Sequence, residues 1–188
     1  MRVRDYLRMA ETNRPLELVY GVLREPPAPF YGHQAMVTRM AAALHRFVDR
    51  HALGAVCVAP VDVVLDHDGA LVVQPDIIFV SNARSAILSD RVWGAPDLTV
   101  EVLSPGTAKR DRTNKLEWYR EYGVRECWLV DPVVPTVEVV CLDPWRPGRI
   151  YGGSARFYSR LLPGFRPSIT RLCRRSGKNA GVMTTARG

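Results

Sequence analysis

A change from a helical to an extended pattern of apolar residues constrains the fold of this chain most. Residues 32–50 predict an amphipathic helix, because their apolar side chains recur at helical spacing. The runs 56–65 and 71–80 are rich in β-branched residues and predict two strands. Residues 66–69, Asp-His-Asp-Gly, join the two runs as a hairpin turn with a glycine where positive φ is needed. The apolar helix positions are Met36, Val37, Met40, Leu44, Phe47 and Val48.

The remaining predicted elements complete a mixed α/β domain. In chain order they are a helix over 3–10, a hairpin over 16–23, a strand over 98–103, a helix over 111–122 and strands over 126–131 and 136–142. This order predicts an α/β (α+β mixed) fold with a central mixed sheet flanked by helices. A chain of 188 residues is too short for two comfortable domains. We expect one domain over 1–172 and a basic, disordered tail over 173–188.

The net charge of +7 is weak evidence for a nucleic-acid partner, because of where the charge lies. The last 18 residues carry five basic side chains and no acid, which leaves 21 basic and 19 acidic side chains, or +2, for the rest. A basic terminus adds sequence-independent attraction to phosphates, although it is more often only a solvated end. The five basic residues are Arg171, Arg174, Arg175, Lys178 and Arg187.

The expected location is the cytoplasm, without a membrane. No apolar run reaches membrane-spanning length, and residues 1–6 lack the apolar core of a signal peptide. The four cysteines show no paired spacing, which argues against a zinc site or a disulfide framework.

Two carboxylates stand out because they fall within apolar runs. Asp76 follows Pro75 in the run 71–80, and Glu101 lies in the run 98–103. Two such carboxylates at a separation of about 4 Å would repel by roughly 4 kcal/mol at an effective dielectric near 20. A divalent cation removes that conflict, and oxygen ligands suit Mg²⁺ or Mn²⁺. A lone acid of this kind more often pairs with an arginine or caps a helix; two on separate strands favour a site.

Glu101 lies in the first of four segments that follow Asp76 along the chain. In order, the segments are Pro96–Pro105, Lys115–Tyr119, Tyr122–Val124 and Trp128–Pro132. This series resembles the Uma-type family of restriction-endonuclease-like proteins, within the PD-(D/E)XK nuclease superfamily, over nearly the whole chain. The resemblance implies a restriction-endonuclease-like fold and a metal-dependent endonuclease that hydrolyses phosphodiester bonds in nucleic acid, with DNA expected, using Mg²⁺ or Mn²⁺. It also implies a homodimer by analogy.

The resemblance implies a role for each matched position. Asp76 would be the first metal-binding catalytic acid and Glu101 the second. The superfamily usually places a lysine two residues beyond the second acid, where this chain has Leu103. The family offers a migrated lysine, Lys115, whose long side chain would reach back over the Glu101 strand to orient a water or stabilise transition-state charge. The competing interpretation of Lys115 is an exposed helix lysine.

Three further residues are candidates for supporting roles. Glu17 lies where the family often has an acid in its first hairpin, and it would line the cleft. His33, at the start of the long helix, would help a metal or phosphate, or simply be a satisfied histidine at a helix end, the interpretation we favour. For Asp97, at a strand start after a proline, a capping role and a catalytic role are equally compatible with the sequence.

Two alternatives to a nuclease stay open. The first is a nuclease-like domain that binds nucleic acid or a protein partner without cleaving, and Leu103 at the usual lysine position is the reason to consider it. The second is a metal hydrolase of other phosphoesters, since the folded part is not strongly basic.

Overall fold

The computed structural model describes residues 1–9, 14–104 and 111–173. In chain order the elements are α1 (Val3–Tyr6), β1 (Glu17–Val19), β2 (Val22–Arg24), α2 (Tyr31–Arg50), β3 (Gly54–Val58), β4 (Val63–Asp66), β5 (Leu71–Val73), β6 (Ile77–Ser81), a 3-10 helix (Asn82–Ile87), β7 (Val92–Trp93), β8 (Leu98–Val102), a π-helical turn (Asp111–Lys115), α3 (Leu116–Tyr122), β9 (Glu126–Asp131), β10 (Thr136–Leu142), β11 (Trp145–Gly152) and α4 (Ile169–Cys173).

The strands form two mixed sheets, which confirms the predicted mixed α/β class. The five-stranded sheet has the order β2-β1-β5-β4-β7, and the six-stranded sheet has the order β11-β10-β9-β8-β6-β3. Each sheet contains one parallel pair, β4 with β7 and β8 with β9. β8, which carries Glu101, pairs with β6 on one side and β9 on the other.

Prolines divide both of the long predicted strands between the two sheets. The run 56–65 breaks at Pro60 into β3 and β4, and the run 71–80 breaks at Pro75 into β5 and β6. A proline has no N–H to donate to a strand ladder, so each run changes sheet where its proline falls. The expectation that Asp76 lies inside a strand was therefore wrong, because it lies just before β6.

Three apolar clusters hold these layers together. α2 covers one face of the six-stranded sheet, with Met40 and Leu44 fully buried against strand residues such as Val100. The other face of that sheet packs on the five-stranded sheet and on α3. α1 covers the outer face of the five-stranded sheet through Val3 and Tyr6. The interior between the two sheets is where the charged side chains of interest meet.

Most other predicted elements are confirmed, with shifted ends. The helix predicted over 3–10 ends at Tyr6, and the helix predicted over 111–122 begins as the π-helical turn. α3 ends at Gly123, whose φ of +91° is the left-handed conformation expected of a terminal glycine. The predicted tail lies outside the described residues from 174 onward. In the part of the chain that the structure describes, no helix is long and apolar enough to cross a membrane.

Candidate active site

A buried lysine joins two buried glutamates from different sheets. The Lys115 Nζ atom lies 2.9 Å from Glu101 Oε2 and 3.4 Å from Glu17 Oε1. The three residues are only 6%, 3% and 1% exposed, in the order Lys115, Glu101, Glu17. Charged groups this deeply buried are costly unless they are paired. The expected reach of Lys115 towards the Glu101 strand is therefore seen in the structure, and its interpretation as an exposed helix lysine is wrong.

Tyr119 contributes a further contact to Glu101 that the sequence interpretation did not assign. Its hydroxyl donates a hydrogen bond to Glu101 Oε1, while Lys115 donates to Oε2. Lys115 and Tyr119 are four residues apart, so both fall on one face of the helical segment. Burial, together with the negative charge of Glu101, raises the pKa of the Tyr119 phenol well above its ordinary value. Tyr119 therefore stays protonated and acts as a donor.

Glu17 is held from the side of the five-stranded sheet. The backbone N–H of Gln74 donates to Glu17 Oε1 over 3.2 Å. The Gln74 side chain in turn donates to Asp62 Oδ1 over 2.8 Å. Asp62 also lies 2.8 Å from the Tyr6 hydroxyl and 3.1 Å from Arg91 Nε. Asp62 and Gln74, which sequence reasoning did not select, thus connect the site to α1 and to the edge of the sheet.

Asp76 lies at the end of β8, close to Glu101. Its Oδ2 atom accepts a hydrogen bond from the Val102 N–H over 2.7 Å, which limits its distance from the Glu101 Cα to about 5 Å. His33 Nε2, in the first turn of α2, lies 3.3 Å from the same oxygen. The structure therefore brings Asp76, Glu101, Lys115, Glu17 and His33 to one region.

Asp97 lies apart from this region. It comes four residues before Glu101, which corresponds to about 13 Å along an extended strand. Its carboxylate is fully buried and accepts from the Ser81 N–H over 2.8 Å and from Arg125 Nη1 over 3.3 Å. These contacts fasten the start of β8 to the neighbouring chain segments. Of the two roles that its sequence position allows, the geometry supports the structural one.

Leu103, at the position where the resemblance led us to expect a lysine, is part of the apolar interior. It is 4% exposed and belongs to the same cluster as Trp118 and the Tyr119 ring. A lysine ammonium placed there would lose its hydration among apolar side chains. Lys115 brings its positive charge to Glu101 from the helical side instead.

The residues present fit a cation held by few protein ligands. Magnesium is commonly bound through one or two carboxylates, with waters and substrate phosphates completing its octahedron. Asp76 is 20% exposed at its side chain, and its Oδ1 atom receives no hydrogen bond from the described part of the chain. Within the same part of the chain, no group of three or more His, Cys, Asp or Glu residues is placed to hold a metal ion, so a cation here would have at most two protein ligands of these types.

Comparison with known proteins agrees with this geometry at the level of fold and family. A crystal structure of a putative nuclease belonging to DUF820 from Anabaena variabilis ATCC 29413 is similar with a TM-score of 0.78 and 20% sequence identity. The similarity covers 92% of this chain and 97% of that one. A search of curated proteins finds no match.

The family model of Uma2, described as putative restriction endonuclease, matches residues 3–171. The match includes every residue of the site described above. This chain belongs to the Uma2 family.

Proposed function

We propose that this protein is a metal-dependent endonuclease that hydrolyses phosphodiester bonds in nucleic acid, with DNA as the expected substrate. The observation that carries the proposal is the buried cluster of Lys115, Glu101 and Glu17, together with Asp76, which is hydrogen-bonded to the residue after Glu101. With the carboxylates ionised, three negative charges and one positive charge sum to −2. A divalent cation would neutralise that charge.

Asp76 and Glu101 would hold the metal, Mg²⁺ or Mn²⁺. Asp76 is oriented by the Val102 amide and by His33, and Glu101 is oriented by Lys115 and Tyr119. When bound there, the cation would act as a Lewis acid on a phosphate oxygen. Because the donors that orient both carboxylates belong to packed elements, the ligands would need little reorganisation to bind.

Lys115 would supply positive charge towards the reacting phosphate. Its ammonium contacts Glu101 and Glu17. Its positive charge would stabilise the negative charge that develops on the phosphate in the transition state. Glu17 would keep the ammonium charged and in place.

The test is cleavage of supercoiled plasmid, single-stranded DNA and RNA, each with Mg²⁺, with Mn²⁺ and with chelator. The variants are Asp76→Asn and Glu101→Gln, which keep the side-chain shape and remove the charge. Asp97→Asn is the matched control for Glu101→Gln, because Asp97 is a buried acid like Glu101 but has other partners.

Cutting that requires metal, and that Asp76→Asn and Glu101→Gln abolish, would support the proposal. Asp97→Asn should cut at the wild-type rate per folded molecule. Equal cutting by all four proteins would assign the activity to a contaminant and contradict the proposal.

The alternative is a nuclease-like domain that binds nucleic acid or a protein partner without cleaving it, favoured by the apolar environment of Leu103. It predicts binding of the same substrates with no metal-dependent product. Leu103→Lys would then be the variant to examine for a gain of cleavage.

A further inference from the structure

An arginine-lined groove lies on the opposite side of the six-stranded sheet from the Lys115 cluster, along the outside of α2. It encloses about 500 Å³ between the C-terminal half of α2 and the segment 156–172. Phe47, Phe165 and Leu172 contribute apolar surface to its lining. The groove is also lined by six arginines, Arg39, Arg46, Arg50, Arg156, Arg166 and Arg171, and by no acidic residue of the described chain.

Three of these arginines form one stripe on α2. Arg39, Arg46 and Arg50 are spaced by seven and four residues, which places them on the same helix face. Arg156, Arg166 and Arg171 come from more than 100 residues later in the chain and face the stripe across the groove. The positive charge of the groove is therefore assembled by the fold and is not visible as a run of basic residues.

The described contacts of Arg156 and Arg166 leave the charge of these two side chains uncompensated. Arg156 donates to the Arg166 carbonyl oxygen over 2.9 Å, and the Arg166 guanidinium lies 4.8 Å from the centre of the Tyr158 ring. Both partners are uncharged. Across residues 1–9, 14–104 and 111–173, no carboxylate lies within ion-pair distance of Arg46, Arg50 or Arg171. Like charges this close repel each other, so an anion in the groove would relieve the repulsion.

We propose that this groove binds the phosphate backbone of nucleic acid, at a position separate from the site of cleavage. The proposal rests on the proposed function in one respect, that nucleic acid is the ligand. Arginine guanidinium groups recognise phosphates through paired hydrogen bonds, and the apolar surface beside them suits sugar and base edges.

The helix geometry gives the length of nucleic-acid backbone that the arginine stripe would contact. His33, beside Asp76, is in the first turn of α2, and the stripe from Arg39 to Arg50 begins about 9 Å and ends about 26 Å further along the axis. At about 3.4 Å per phosphate along one strand, this stripe corresponds to about five nucleotides.

The C-terminal residues of this chain do not provide a competing occupant. Residues 174–188 carry four basic side chains and no acid, so they cannot neutralise the groove. A strongly negative ligand would supply the charge that the groove lacks.

The test measures binding of a fluorescein-labelled 30-base-pair duplex by anisotropy, without divalent cations, over a range of salt concentrations. The groove variant is Arg46→Gln/Arg50→Gln. The matched control is Arg146→Gln/Arg160→Gln, which removes two equally exposed arginines that do not line the groove. A labelled deca-glutamate peptide serves as a second probe with each protein.

The groove variant should show a dependence of log K on log salt that is shallower by about 1.8, from two lost phosphate contacts at about 0.9 each. The control should keep the wild-type slope. An equal decrease of the salt dependence in both variants would mean that only net charge matters, and it would overturn the proposal. Tighter, groove-dependent binding of the acidic peptide than of the duplex would overturn the nucleic-acid assignment in favour of a protein partner.

Binding and cleavage are separate readouts, so the two proposals can fail separately. Groove-dependent binding without metal-dependent cleavage would contradict the proposed nuclease and support the groove. If the groove variant cleaves and binds nucleic acid as well as the wild-type protein does, the proposed role of the groove is contradicted and the proposed nuclease activity remains supported.

Discussion

The Lys115 ammonium and the Glu101 carboxylate lie 2.9 Å apart in the protein interior, although fourteen residues separate them in the chain. Leu103, two residues beyond Glu101, occupies apolar surroundings. The positive charge beside Glu101 therefore comes from the helical segment, while position 103, just after the strand, is part of the apolar core.

Removing the lysine should cost both stability and cleavage. Lys115→Met leaves Glu17 and Glu101 buried without their shared cation, and loss of one partner of a buried pair costs about 3–5 kcal/mol. We expect that loss in the free energy of unfolding, measured with urea. The double variant Lys115→Met/Glu101→Gln should regain part of the stability, because it buries one charge fewer, and it should stay inactive. Recovery of cleavage in the double variant would contradict the role of both residues.

Tyr119 should make the protein sensitive to alkali. Its pKa is raised in the folded state, so above pH 10 the unfolded chain releases a proton that the folded protein retains, and stability falls as pH rises. One such group contributes a slope of about 1.4 kcal/mol per pH unit. Tyr119→Phe should be less stable at pH 7 and lose that part of the slope, measured by urea unfolding between pH 9 and 11. The rest of the dependence of stability on pH should remain in this variant, because the pKa values of Tyr6 and Tyr122 are also raised.

His33 should tune metal binding through Asp76. Partners of metal-ligating carboxylates typically change metal affinity by about 10–100-fold. We expect His33→Ala to weaken Mn²⁺ binding by that factor in calorimetry, with a matching rise in the metal concentration needed for cleavage. His45→Ala is the control, because His45 is on the same helix and pairs with the exposed Asp49. Equal weakening in both variants would refute a specific role for His33.

Asp97 should affect folding and not chemistry. Asp97→Asn removes the negative charge that pairs with Arg125 and weakens the bond from the Ser81 amide. We expect a lower free energy of unfolding, by about 1–3 kcal/mol, and an unchanged cleavage rate per folded molecule. If folded Asp97→Asn protein loses as much cleavage rate as Asp76→Asn does, Asp97 takes part in the reaction and the structural role is contradicted.

Much of the candidate site could be predicted from the sequence because its residues depart from their local pattern. Acids among apolar residues pointed to Asp76 and Glu101, whereas Lys115 was offered by the family resemblance, which expects a lysine at the position of Leu103. Tyr119 was harder to select, since an aromatic residue on a helix face is typical of any core. Gln74 and Asp62 act through contacts between distant segments, which no local pattern encodes.

The division into two sheets was not predicted for a related reason. The sequence analysis predicted one strand from each long β-rich run, although the runs contain Pro60 and Pro75. Which sheet a strand joins depends on the packing of all the strands, so a local pattern identifies the strand and leaves its partner undetermined. The arginine groove was not predicted, because its arginines are far apart in the sequence and come together only in the folded structure. A sum of charges along the chain does not reveal such a cluster.

Lys115 and its two glutamates can come together only in the folded protein. Glu17 belongs to the five-stranded sheet and Glu101 to the six-stranded sheet, and Lys115 contacts both. Neither sheet alone contains a complete set of charges. The cluster of Lys115, Glu17 and Glu101 is therefore complete only when the two sheets are packed against each other, and a chain with either sheet unfolded would lack it.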